Sequence, residues 1–343
     1  MKRLVICCDG TWNTPDQRNG DDDCPTNVVK MARAVRARSD TGTHQIVYYS
    51  RGVGTRPGID RFTGGAFGHG LATNVQDAYR FIVDNYEDGD ELFFFGFSRG
   101  AYTARSVVGF IRNSGLLRRD TRHMFPEAYE LYRRHDVHPD DEEAAAFRKE
   151  YAREIRVKFL GVWDTVGALG IPARGLNWLT RRKYQFHDVQ LSRIVDYACH
   201  AVAIDEQRGQ FKPTLWEVSP EKEHQVEQVW FAGVHSNVGG GYPDTGLSDI
   251  ALEWMLDRAM AHGLNVDDEY VRQNLLPNHL GRLENSRKGI YRLSRPYVRS
   301  VPASDLLHAT VHKRHSSDPS TYAPPNLAAL LRQDERPTDR PVA

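Results

Sequence analysis

Cysteine is scarce in this chain, and no long apolar run interrupts it. The four cysteines among 343 residues, Cys7, Cys8, Cys24 and Cys199, form no CxxC pair and no regular spacing. That excludes a disulfide framework, gives no metal motif and points to a reducing compartment. No stretch approaches the roughly 18 apolar residues that span a bilayer. The apolar run near the N-terminus, Leu4 to Cys8, is too short for a signal peptide, so a cytoplasmic location is expected. Net charge is lacking as well: 45 basic residues face 45 acidic ones. A neutral chain has no general field for collecting nucleic acid, and no such partner is expected. Internal repeats and low-complexity tracts are absent.

What is present is a series of short apolar runs separated by helix-like segments. Strands are expected at Leu4 to Cys8, Gln45 to Tyr49, Leu92 to Phe95, Val157 to Val162 and Gln225 to Ala232. Helices are expected from Asn27, as its cap, to about Ala37, from Leu71 through Ile82, and from about Ala101 to Asn113. Two more are expected near 190–202 and from about Leu247 to His262. Gly52 to Gly70 reads as a loop. The alternation predicts a single α/β domain over 1–343, with a mostly parallel sheet and helices on both faces. A charged, helix-prone insertion near 119–154 and a loop-like one near 170–220 are expected to form a lid. Chemistry in such sheets gathers beyond the carboxyl ends of the strands, which singles out Asp9, Ser98, Asp164 and His235.

Gly96-Phe97-Ser98-Arg99-Gly100 fits Gly-x-Ser-x-Gly between a buried strand and a helix of small residues. In that context the serine is a nucleophile on a tight strand-to-helix turn, and the flanking glycines remove Cβ clashes. The bland alternative is a serine in an ordinary turn. A serine hydroxyl needs a base, and the base needs an orienting acid. The order Ser, Asp, His is met by Ser98, Asp164 and His235. Asp164 as a turn residue, and His235 as a structural histidine with His308 or His312 in its place, are the alternatives. Three glycines, Gly239 to Gly241, follow His235 closely and mark a backbone that bends or approaches something tightly.

Asp9-Gly10-Thr11 ends the first strand. Backbone N–H groups of Gly10 and Thr11, with that of Arg99, are candidates for an oxyanion hole; a simple Asp-Gly turn is the alternative. The same tripeptide suggests a metal-dependent phosphatase built on Asp9. Phosphatases of the haloacid-dehalogenase type, however, carry their nucleophilic Asp two residues earlier, where this chain has Cys7. Asp9, Asn237 and Tyr242 are expected beside the substrate. Arg174, Arg181, Arg182 and Lys183 interleave with Leu176, Trp178 and Leu179, a pattern that fits either peripheral contact with an anionic lipid surface or a solvated loop. Asp205-Glu206 with Arg208 fits either a site pair or a plain surface salt bridge, the second being the default expectation.

Five ordered motifs carry a family resemblance: Cys-Asp-Gly-Thr-Trp-Asn (8–13), Gly-Phe-Ser-Arg-Gly-Ala-Tyr-Thr-Ala-Arg (96–105), Val-Trp-Asp-Thr-Val-Gly (162–167), Asp-Glu-Gln-Arg (205–208) and Gly-Val-His-Ser-Asn-Val-Gly-Gly-Gly-Tyr (233–242). Together they resemble an α/β-hydrolase family of bacteria and fungi that includes the catalytic part of some type VI secretion phospholipase effectors. The resemblance implies a Ser98–Asp164–His235 triad and esterase or phospholipase-like chemistry on a small-molecule or lipid ester. Chemistry through an acyl-enzyme on that triad requires no cofactor, and no metal is expected. Where the family often has Asp after His-Ser, this chain has Asn237. A non-catalytic binding module on the same fold is the other class of reading.

Overall fold

The computed structural model describes residues 1–11, 13–52, 64–167, 191–302, 305–317 and 319–327. Short apolar runs become strands of one sheet: β1 (Arg3–Cys8), β2 (Gln45–Ser50), β3 (Glu91–Phe97), β4 (Phe159–Trp163), β5 (Ala198–Ala203), β6 (Val226–Phe231) and β7 (Leu306–Leu307). Their order is β2-β1-β3-β4-β5-β6-β7, and every pairing between neighbours is parallel. This is an α/β fold. The chain leaves β1 towards β2 and returns to β3 on the other side of β1. The crevice beyond β1 and β3 is therefore the switch point where such sheets hold ligands.

Side chains of the central strands alternate between two apolar layers. Leu4, Ile6, Leu92, Phe94, Leu160 and Val162 pack on one face with α2 (Gly64–Asn85) and α3 (Arg99–Ser114). Val5, Cys7, Phe93, Phe95, Phe97 and Trp163 pack on the other with α1 (Asn27–Ala34) and a late helix at Gly246–Ala261. Each large side chain so buried is worth about 1.5–3 kcal/mol over its exposed state. All four cysteines are buried, Cys7 and Cys8 within the apolar run of β1. Burial pushes the Cys8 thiol up to about 12, so it is inert as a thiolate source.

Three expectations change. The segment near 190–202 is not a helix: Ala198–Ala203 is β5, entirely buried. A short apolar run covered on both faces has no period that separates strand from helix. Helix α2 begins at Gly64, within the stretch read as a loop. Glycine propensity, about 1 kcal/mol per residue, is overridden once the helix continues into a packed segment. The cap of α1 is Thr26, whose Oγ1 accepts from the Val29 N–H, while Asn27 donates to Val238 and Ser248 carbonyls.

The insertion at 119–154 folds as α4 (Phe125–Arg133) and α5 (Glu142–Tyr151). Ser114 donates to the Ala128 carbonyl and Arg148 to the Asn113 carbonyl, so the pair sits at the C-terminal end of α3. That is ~24 Å along the helix from Ser98. Residues 168–190 of the second insertion, with the whole basic-apolar segment, lie outside the described residues. After β6 come α6 (His235–Gly239), α7 (Gly246–Ala261), α8 (Asp268–Asn274) and, after β7, α9 (Ala309–Ser317). Among the described residues no helix is long and apolar enough to cross a membrane.

Candidate active site

Ser98 stands between β3 and α3 with φ 59° and ψ −121°, a conformation that side-chain-bearing residues rarely adopt. The turn is possible because its neighbours lack Cβ. A Cβ on Gly96 would meet Ala101 Cα at 2.6 Å, and one on Gly100 would meet the Cys8 carbonyl oxygen at 2.1 Å. Helix α3 therefore crosses β1 in direct backbone contact, and Ser98 is thrust out over the sheet edge at the start of α3.

Three side chains from β3, β4 and β6 ends meet there. His235 Nε2 lies 2.8 Å from Ser98 Oγ, and His235 Nδ1 lies 2.5 Å from Asp164 Oδ2. Asp164 is wholly buried and follows β4 with φ 40°. His235 opens α6, and its ring packs between the Phe97 ring (4.6 Å) and the edge of Phe211 (4.8 Å). Those rings leave the imidazole few orientations other than the one that joins serine to carboxylate. Burial lowers the His235 pKa below the ordinary imidazole value, against the Asp164 hydrogen bond and charge. Burial pushes the Asp164 carboxyl up, but Arg299 and His235 more than reverse this and hold it well below the usual carboxylate range. A neutral imidazole beside an ionised carboxylate is what general-base work on a serine requires.

Two ion pairs brace this chain. Arg299 Nη1 donates to Asp164 Oδ1 (2.6 Å) and Nη2 to Oδ2 (3.0 Å), with both side chains wholly buried. Glu206 Oε2 accepts from the His235 backbone N–H (3.2 Å), and Glu206 takes a bidentate contact from Arg208. The Arg208 guanidinium also covers the Phe211 ring at 3.6 Å. Glu206 is only 1% exposed, so the pair read as a surface salt bridge is instead a wall of the site. Asp205 accepts from the Gly233 N–H and the Tyr322 hydroxyl and so ties down the turn leading to His235.

The candidate oxyanion donors divide. The Gly10 N–H is donated to Asp9 Oδ1 at 2.7 Å, which removes it from the set. Thr11 Oγ1 is buried without a hydrogen-bond partner, and Gly10 packs against Ser98, so the Thr11 hydroxyl is a polar group of this loop left for a ligand. Arg99 opens α3, and first-turn N–H groups have no acceptor within their own helix. Burial lowers the Arg99 guanidinium pKa to about 10, so it stays charged.

Two residues expected beside the substrate are engaged elsewhere. Asp9 is 3% exposed and accepts from Gly10 N, Asn13 Nδ2, Thr26 Oγ1 and Tyr49 OH, which use both carboxylate oxygens. It shapes the β1 loop and is closed to a phosphate ester, so the phosphatase reading loses its acid. Asn237 accepts from the Val234 and Glu284 N–H groups and donates to the Arg282 carbonyl, a structural bridge. Tyr242 is half-buried near Arg208 and Glu206, at the margin of the site. His308 is hydrogen-bonded to Thr310 and stacked on Phe231, and His312 lies on α9; it is His235 that reaches Ser98. The sequence gives no signal for Arg299, a lone arginine in an aperiodic segment. Among the described residues no cluster of His, Cys, Asp and Glu could hold a metal ion.

Residues 2–258 match the family described as "T6SS, Phospholipase effector Tle1-like, catalytic domain". The uncharacterized protein YEL023C of Saccharomyces cerevisiae (strain ATCC 204508 / S288c) is 28% identical over 242 residues, covering 64% of this chain and 33% of that protein. A crystal structure of an uncharacterized protein from Pseudomonas aeruginosa is 18% identical, with a TM-score of 0.43, and the match covers 79% of this chain and 47% of that one. The structure of the Tle1 effector bound to the VgrG spike from the type 6 secretion system is also 18% identical, with a TM-score of 0.43, covering 71% and 52%. The chain thus spans about a third of its curated relative and about half of each solved structure. By the match over most of its length, the chain belongs to the Tle1-like phospholipase effector catalytic-domain family.

Proposed function

We propose that the chain is a serine hydrolase that cleaves a carboxylic ester of lipid type through an acyl-enzyme. The observation that carries this reading is the continuous hydrogen-bonded chain Ser98–His235–Asp164 at the switch point of the sheet. Ser98 Oγ attacks the acyl carbon while His235 Nε2 takes its proton. Asp164 keeps the other proton on Nδ1 and stabilises the imidazolium as it forms. The Arg99 N–H and Thr11 meet the developing oxyanion; losing one such donor costs ~10²–10³ in rate. His235 then returns its proton to the leaving alcohol, and water repeats the sequence to free the acid. The phospholipase description of the family supports a lipid ester over a small soluble one.

Hydrolysis of p-nitrophenyl esters and of phospholipid in mixed micelles by wild type and Ser98→Ala tests this. Turnover is expected to fall at least ~10⁴-fold in the variant. A folded variant that keeps wild-type turnover refutes the assignment.

A further inference from the structure

The irregular segment between α8 and β7 sends one charged side chain into the core beneath the site. We infer that Arg299 is a positioning residue of this hydrolase, fixing the Asp164 carboxylate by a two-point grip and setting the pH at which His235 acts as base. The inference rests on the Ser98 hydrolase reading above.

Geometry argues for more than neutralisation. The two Asp164 oxygens each take one Arg299 N–H, which fixes the plane of the carboxylate as well as its place. The same guanidinium donates to the Ala203 carbonyl at 2.7 Å and to the Phe211 carbonyl at 2.6 Å. It thereby joins the end of β5 to the turn that presses the Phe211 ring on His235. One cation thus holds the acid and one wall of the base.

The charge acts on the base as well. Asp164 Oδ2 accepts from both His235 Nδ1 and Arg299 Nη2. Arg299 Nη2 is therefore within ~5.5 Å of the imidazole, close enough for its positive charge to oppose a second one on the ring. Asp205 also feels the Arg299 charge, and its carboxylate accepts from the Gly233 N–H and the Tyr322 hydroxyl. Glu206 favours the imidazolium, and Arg208, which opposes it, is bound to Glu206. Beside Asp164, His200 is kept neutral, chiefly by burial, and meets the Thr165 N–H. Arg105 is turned to the Thr214 carbonyl. Tyr242 lies on the Arg208–Glu206 side. Removing the Arg299 charge makes His235 hold its proton more tightly, so the acid limb of the rate profile moves to higher pH.

The test is kcat and KM from pH 4.5 to 9 for the full chain, with Arg299→Gln and Arg299→Lys, each checked for folding by thermal melt. In R299Q the acid limb is expected to rise by about one unit or more, with kcat down at least ~10-fold and KM within ~2-fold. R299K keeps the charge without the two-point contact; its limb should stay with wild type while kcat falls to an intermediate value. A folded R299Q whose limb stays in place overturns the inference. If R299Q does not fold, R299K decides: a wild-type limb with lowered kcat supports the inference, and wild-type kcat or a raised limb overturns it. Ser98→Ala, run in parallel, separates the two readings. Turnover surviving in S98A sinks the hydrolase assignment, whereas an inactive S98A beside an unmoved R299Q limb sinks only the role of Arg299.

Discussion

Asp164→Asn is a near-isosteric change, yet here it should cost both stability and rate. Oδ1 accepts from the Ala203 N–H and Arg299 Nη1, and Oδ2 accepts from His235 Nδ1 and Arg299 Nη2. Every direction open to the carboxylate faces donors. An asparagine amide must therefore set its NH₂ against two of them, whichever way it turns, while the buried Arg299 loses its counter-charge. Breaking a wholly buried pair from one side costs ~3–5 kcal/mol. Loss of the correct imidazole tautomer is expected to lower kcat by about 10⁴. Urea denaturation of D164N gives the first quantity and ester hydrolysis the second. The double variant D164N/R299M is expected to recover part of the lost stability, because no charge is then left unpaired, but none of the rate. A D164N protein within ~1 kcal/mol of wild type would show that the Asp164–Arg299 pair is not the buried electrostatic unit described above.

Two further outcomes follow from the same geometry. Because burial lowers the His235 pKa and the neutral form is the base, kcat/KM should rise with pH through a midpoint below the ordinary imidazole value of 6.5, then stay flat past neutrality; initial-rate profiles check it, and a midpoint above 6.5 would contradict it. Gly100→Ala places a Cβ 2.1 Å from the Cys8 carbonyl oxygen, so α3 must lift from β1. Denaturation should show a loss of ~1–3 kcal/mol, and ester assays a rate loss beyond 10²-fold, since Ser98 moves with the helix.

Much of the candidate site could be read from residue order. The tight turn at Ser98 is legible because glycines flank it at fixed offsets, Gly96 at the end of a short apolar run and Gly100 in α3, where close backbone contacts admit nothing larger. Asp164 and His235 are legible because they follow buried strands in the expected order. The fold class follows from the alternation of runs, although β5 hides: Ala198–Ala203 is covered on both sides and has no polar face to set a period. What could not be read depends on distant partners. Asp9 has a motif position suited to chemistry, but Tyr49 and Thr26 close around it. Glu206 and Arg208 have the spacing of a surface pair, and only packing beside His235 buries them. Arg299 has no local pattern at all; the one hint is that a buried carboxylate needs a cation from somewhere.

The most direct test of the central claim is the mass of the intact chain after exposure to a fluorophosphonate, with the site mapped by peptide sequencing. A single adduct on Ser98 that forms in wild type and is abolished in His235→Ala is the predicted result, because only a hydroxyl activated by that imidazole reacts readily. A chain that stays unmodified, or that reacts equally well without His235, would contradict the account.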